Sequence, residues 1–272
     1  MAARLYLIGS LAGALAGISL TSCEKELDFK YHDIDPILVI EGAVEQGGAR
    51  VSLTLTTPMD EPMDRRRLTD ATVTLSDLTA GSAVELAPDE GGDFLSVLPG
   101  VPGHEYLLTV TRGGETCTSQ TRMYPAVEIT DMEFNWIKMP YDDVAVLQVS
   151  FTDDQASTGD CYWVRLYRNG EMYMWNEVQD FMAVDGRIDE VFMTSRKDIS
   201  EEDDDTVLVD GDVVTATVVR IDRRMHDYLE AIRNDSNGAQ MFDGPLCVGY
   251  FTAGAVTSRS LTFHPVDIPY FK

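Results

Sequence analysis

The chain has 272 residues, with 46 Asp and Glu against 21 Lys and Arg and a formal net charge of −25. That balance repels polyanions and argues against nucleic-acid binding, because the densest cations, Arg65-Arg66-Arg67 and Arg223-Arg224, are each flanked by acids and read as solvated loop or helix-end charges. A chain of this length can bury cores without covalent staples.

A single cation, Arg4, precedes an apolar run from Leu5 to Leu20 that is interrupted by Gly9, Gly13 and Gly17 and ends in Leu20-Thr21-Ser22-Cys23. The run is shorter than the roughly 20 residues a spanning helix needs, so residues 1–22 read as a cleaved signal peptide. The four closing residues resemble a bacterial lipobox, which makes Cys23 the expected lipidation site: its thiol is the nucleophile that takes the diacylglycerol. Two or more acyl chains give stable membrane anchoring. Removing Arg4 with the signal peptide takes the net charge to −26. Residues 23–35 then form a lipidated tether. Cys23-Glu24-Lys25-Glu26 resembles the acidic surface-export signal of Bacteroidota lipoproteins, with a plain solvated linker as the alternative.

From Ile37 to about Tyr124 the pattern alternates with period two. Val51, Leu53 and Leu55 share one face, as do Ala71, Val73 and Leu75, and Tyr106, Leu108 and Val110. Asp89-Glu90-Gly91-Gly92 and Pro99-Gly100-Val101-Pro102-Gly103 supply turns. About seven short strands predict a β-sandwich over residues 36–125, resembling the immunoglobulin-like or prealbumin-like modules of exported proteins. Such modules are more often scaffolds than catalysts.

Pro125 marks the expected boundary of a second β-rich domain, 126–272. Val144 to Phe151 and Tyr162 to Tyr167 read as strands joined in a long hairpin through Thr152–Asp160, and Val213 to Ile221 as a further strand. One helix is expected near 222–234. Asp222 caps it, Met225, Tyr228 or Leu229, and Ile232 form an apolar stripe facing a sheet, and Asn234 to Gly238 ends it. The fold class is therefore mainly β, two β-rich domains with one helix.

With Cys23 assigned to lipid, Cys117, Cys161 and Cys247 remain. One pair among them and at least one free thiol are compatible with the count, and which two would pair stays open.

The order of the lipobox, Ile37-Leu38-Val39-Ile40-Glu41-Gly42, Thr69-Asp70-Ala71-Thr72-Val73, Phe151-Thr152-Asp153-Asp154 leading to Cys161-Tyr162-Trp163, and the Tyr228 helix followed by Gly249-Tyr250-Phe251 resembles the DUF4249 lipoproteins of Bacteroidota. The resemblance covers essentially the whole mature chain. It implies an accessory role beside TonB-dependent outer-membrane receptors and no particular chemistry. The stretch Phe242 to Phe251 departs from the more glycine-rich run typical of relatives.

Catalytic spacing is missing from the sequence: there is no G-x-S-x-G elbow, phosphate-cradling glycine loop or C-x-x-C pair. His32, His104, His226 and His264 are far apart in sequence and read as surface or internally satisfied side chains. Glu201 to Asp205 is the densest acidic run, but consecutive carboxylates cannot converge on one ion as an EF-hand loop does. Asp153, Asp154 and Asp160 bracket a second acidic loop, read as hairpin-loop chemistry, and whether either loop takes Ca²⁺ stays open. The aromatic residues Trp136, Tyr141, Trp163, Tyr167, Tyr173, Trp175 and Phe181 could stack a glycan or peptide. The ligand or partner surface is accordingly expected at Asp154, Trp163 and Trp175, with no catalytic residue, metal or cofactor. The expected role is a non-enzymatic accessory or binding component of a TonB-dependent nutrient uptake system. The lipid would hold it at the outer membrane, on the cell surface or in the periplasmic leaflet. The alternative is a structural or adhesive surface protein.

Overall fold

Every alternating run of the first region becomes a strand: β1 Leu38–Glu45, β2 Gly48–Leu55, β3 Thr72–Asp77, β4 Ser82–Pro88, β5 Phe94–Ser96, β6 Glu105–Arg112 and β7 Glu115–Arg122. The second region supplies β8 Ile129–Ile137, β9 Val144–Thr152, β10 Cys161–Arg168, β11 Glu171–Gln179, β12 Arg187–Arg196, β13 Val213–Ile221, helix α1 Arg223–Arg233, β14 Cys247–Ala253 and β15 Thr257–Thr262. This computed structural model describes residues 35–57, 66–154, 156–196, 206–236 and 238–271. The signal peptide, Cys23, residues 24–34 of the tether, Arg65 and Glu201–Asp205 lie outside the described residues.

The first sheet runs β14-β1-β2-β5-β4-β3-β6-β7. Short β5 lets it fold over on itself, so that Val51, Leu53, Val73, Leu75, Leu108 and Val110 face a common core with Phe94 and Phe251. Burying each such side chain contributes about 1.5–3 kcal/mol. Its two ends approach one another. Thr118 on β7 exchanges both backbone hydrogen bonds with Asp243, just ahead of β14, at 2.9 and 2.8 Å.

The second region has two sheets, β11-β10-β13-β15 and β12-β9-β8. The hairpin expected between Val144–Phe151 and Tyr162–Tyr167 does not form, because β9 and β10 belong to different sheets. Their connection crosses the sandwich, and Phe151 meets Tyr162 edge-on across the core, with ring centroids 5.1 Å apart. Alternation specifies that each segment is a strand with a buried face; it does not specify the partner.

Residues 36–272 share their packing across the expected boundary at Pro125. Strand β10 sends Tyr162, Val164 and Leu166 into the second core and Cys161 and Trp163 into the first; β13 likewise sends Val214, Ala216 and Val218 one way and Val219 and Ile221 the other. The β10–β13 layer is thus covered on both faces. Helix α1 adds Met225 and Leu229 to the first core. Asp222 caps it as expected, accepting from the Met225 N–H at 2.8 Å, a contact worth about 1 kcal/mol. Its other oxygen accepts from Thr121 Oγ1 at 2.9 Å, which ties the helix start to β7.

Candidate functional site

Alternation along β10 places Trp163 and Arg165 on the face turned towards β14 and α1. Trp163 is 7% exposed. Its ring meets Tyr250 edge-on at 5.8 Å and Trp175 at 6.5 Å, and the Arg165 guanidinium lies over it at 4.5 Å. Tyr228 of α1 packs 6.1 Å from Tyr250 and completes the cluster. Burial and the neighbouring Glu41 charge hold the Tyr250 phenol above its ordinary range, so it stays protonated.

Polar atoms on this face are incompletely matched. Among the described residues, Trp163 Nε1, Arg165 Nε, Glu177 Oε2, Thr217 Oγ1 and Thr252 Oγ1 are buried without a hydrogen-bond partner. Trp163 is the cross-strand partner of Glu177, and Arg165 is that of Thr217, so four of the five adjoin within one sheet. Buried polar groups are normally paired, which makes a concentration of unpaired ones a property of the place.

Arg165 and Tyr250 also line an open groove of about 560 Å³ that runs along the outward positions of β1 and β2, with Glu41, Glu45, Arg50 and Arg67. That volume suits a small ligand. Its lining residues Arg50, Ser52 and Arg67 share one partner, Asp93, only 6% exposed in its side chain, which is held by Arg50, by Arg67 Nε at 2.9 Å and by Ser52 Oγ. Burial pushes the Asp93 carboxyl up, but Ser52 and the two guanidiniums outweigh it and keep the group below the usual carboxylate range. Arg67 is therefore a structural ion-pair partner, in contrast to the solvated role expected of it. Arg165 faces Glu45 at 3.9 Å, beyond hydrogen-bond reach. The groove presents guanidiniums, carboxylates and a phenol to one volume.

The residues singled out by sequence are dispersed. Trp163 is buried and supports the groove from behind, while Trp175 is half-buried against it. Asp154 is exposed and accepts from the Ala156 N–H at 3.0 Å at the loop's start. Its neighbours are separately engaged: Asp153 accepts from the Tyr162 hydroxyl, and Asp160 from Ser157 and Arg220. Those pairings orient the three carboxylates towards protein donors. Trp136 is buried in the second core, and Tyr141 is 97% exposed.

His226 is buried, and with Asp227 and Glu230 it brings three ligand-type atoms within 4.8 Å of one another. The i, i+1, i+4 spacing on α1 is the signal that would have found this trio. Arg223 Nε already holds Asp227 at 2.7 Å, and the His226 ring lies 3.0 Å from Gln179 Nε2, so the positive charge there is supplied by the protein. The signal for the groove was Arg165 itself, a cation in the otherwise apolar run Cys161 to Tyr167.

Paired β-sandwich layers with a groove beside an aromatic–arginine cluster define a mainly β protein. Residues 24–260 match the family described as a domain of unknown function, DUF4249, and the chain belongs to that family. No curated protein matches. Among solved structures, a two-domain fibronectin type III segment from chicken tenascin is similar at 15% identity over 84% of this chain and 100% of that one, with a TM-score of 0.23. The FN1-FN3 domains of chicken CNTN1 are similar at 13% identity over 81% of this chain and 66% of that one, with a TM-score of 0.20. At such TM-scores the likeness carries no weight, and the fold rests on the strand pairings above.

Proposed function

We propose that this protein is an outer-membrane lipoprotein of a Bacteroidota cell, anchored through Cys23, that acts as a non-enzymatic accessory or binding component of a TonB-dependent nutrient uptake system. The observation that carries the binding role is the groove, lined by the partly buried Arg165 and Tyr250, with unpartnered polar atoms, Arg165 Nε among them, buried beside it. The lipobox-like Leu20 to Cys23 supports the anchor, and Glu24 and Glu26 support export to the surface over retention in the periplasmic leaflet. A groove bearing both charge signs beside a phenol fits a small nutrient, a glycan or a peptide.

The test is affinity purification of the tagged full-length protein from native outer membranes, followed by uptake assays in a deletion strain. A co-purifying receptor barrel and an uptake defect are the expected results. Purification without a barrel, together with normal uptake, would overturn the reading. A defect in cell adhesion with normal uptake would favour an adhesive role. The exposed side chains of Met139, Tyr141, Met193 and Val266 would then supply the contact surface.

A further inference from the structure

Strand β7 and the start of β14 lie at opposite ends of the first sheet's strand order, yet the chain brings them together. Asp243 exchanges backbone hydrogen bonds with Thr118. Gly244 packs on β7 so closely that a Cβ there would clash with the Thr116 carbonyl oxygen, and Cys117 Sγ lies 3.7 Å from the Pro245 carbonyl oxygen. Two residues further on is Cys247. Cys117 and Cys247 are free thiols in the structure, buried in the same core at 4% and 6% exposure, and burial together with the nearby Cys117 thiol pushes the Cys247 thiol up. Cys161 has a different environment, with its sulfur 3.6 Å from the Gly159 carbonyl oxygen.

We infer that Cys117 and Cys247 form a disulfide-forming pair that covalently closes the first sandwich by joining β7 to β14, and that Cys161 remains a free thiol. The reaction is thiol–disulfide exchange with an external disulfide: the two cysteine thiols give one S–S bond, and the oxidant's S–S bond is reduced to two thiols, which receive both electrons and both protons. Burial places this reaction in folding, before the core closes over the sulfurs. Fixing β14 also fixes Tyr250 at the groove.

The pairing is tested apart from any assumption about export. The full-length protein, denatured and reduced, is refolded with oxidised and reduced glutathione, alkylated under denaturing conditions without reductant, and analysed by intact mass and peptide mapping. The expected product carries alkyl groups on Cys161 and Cys23 only, weighs two hydrogens less than the reduced chain bearing those same two groups, and yields a peptide linking Cys117 to Cys247. It should also unfold at higher urea than the same protein after reduction. In Cys117→Ser, Cys247 should be alkylated and the reductant-dependent shift in urea midpoint should vanish. A link through Cys161, or refolded protein with both Cys117 and Cys247 alkylated or glutathionylated, would overturn the inference. Should the link form on refolding and be absent from protein taken from cells, the export reading fails and the pairing stands.

Discussion

Gly249 sits opposite Ile40 in the parallel pairing of β14 with β1, at a φ of +106°, and a Cβ at this position would lie 2.0 Å from the Ile40 carbonyl oxygen. Both the backbone conformation and the approach require glycine. Replacement by alanine is expected to cost about 3 kcal/mol or more and to displace the strand that carries Tyr250 to the groove. The neighbouring Val248→Ala, at a position 38% exposed, should stay within about 1 kcal/mol. Thermal unfolding of the two variants, with tryptophan fluorescence reporting on Trp163 beside Tyr250, checks the contrast. Equal stability would show that β14 can shift without cost.

This relationship also marks what the sequence could and could not convey. Strands β1 to β7, the Asp222 cap and the Met225–Leu229 part of the α1 stripe were legible because period-two and helical spacing are local, whereas Ile232, expected on that stripe, is 45% exposed. The pairing of β14 with β1, some two hundred positions away, was not, because any apolar strand satisfies such an edge. The same limit hid the site. Trp163 was visibly out of phase with Tyr162, Val164 and Leu166, but only the fold reveals that both faces of β10 are covered. Arg67 looked like loop charge because Asp93, its partner, lies in a turn beyond two intervening strands, β3 and β4.

Asp93 makes part of the stability depend on acid. Its carboxyl is held below the ordinary value of 3.8 by Ser52, Arg50 and Arg67 against the opposing effect of burial. The folded state therefore prefers the ionised form, and the contribution is present above the unfolded value and lost as pH falls through the lower folded value. Asp93→Asn should lower stability at neutral pH by leaving two guanidiniums unmatched, and should flatten the decline between about pH 5 and pH 2. Asp189 and Asp212 are held low in comparable settings, so part of the slope should persist. Melting temperatures across this range test the assignment, and parallel curves for the variant and the parent would remove Asp93 from it.

The anchor yields a separate expectation. Among the described residues no helix is long and apolar enough to cross a membrane. If Cys23 carries the lipid, Cys23→Ala should lose acylation and appear in the soluble fraction once its signal peptide is removed. Firm membrane retention of the processed variant would contradict the anchor. Replacing Glu24 and Glu26 with alanine should leave acylation intact while lowering labelling of whole cells by an impermeant reagent. Unchanged labelling would reduce these charges to linker residues.

Trp163 and Trp175 differ in what their loss should report. Trp163 is enclosed between β10, β14 and α1, and its truncation to alanine should cost about 3–5 kcal/mol and act through unfolding. Trp175 meets it edge-on at 6.5 Å and remains half-buried, so Trp175→Ala should cost less, about 1–2 kcal/mol. Asp154→Ala removes an exposed loop contact and should change stability by about 1 kcal/mol or less. If the Trp-rich region carries the recognition surface, the double variant of Asp154 and Trp175 should weaken capture of the receptor or ligand while remaining folded. The groove provides the comparison: Arg165→Met keeps an unbranched apolar side chain beside Trp163 and removes the guanidinium that lies over its ring. Capture lost in Arg165→Met and retained in the folded double variant would move recognition from the loop to the groove. The reverse result would leave Arg165 a packing residue, and measuring stability and capture on the same preparations separates the two.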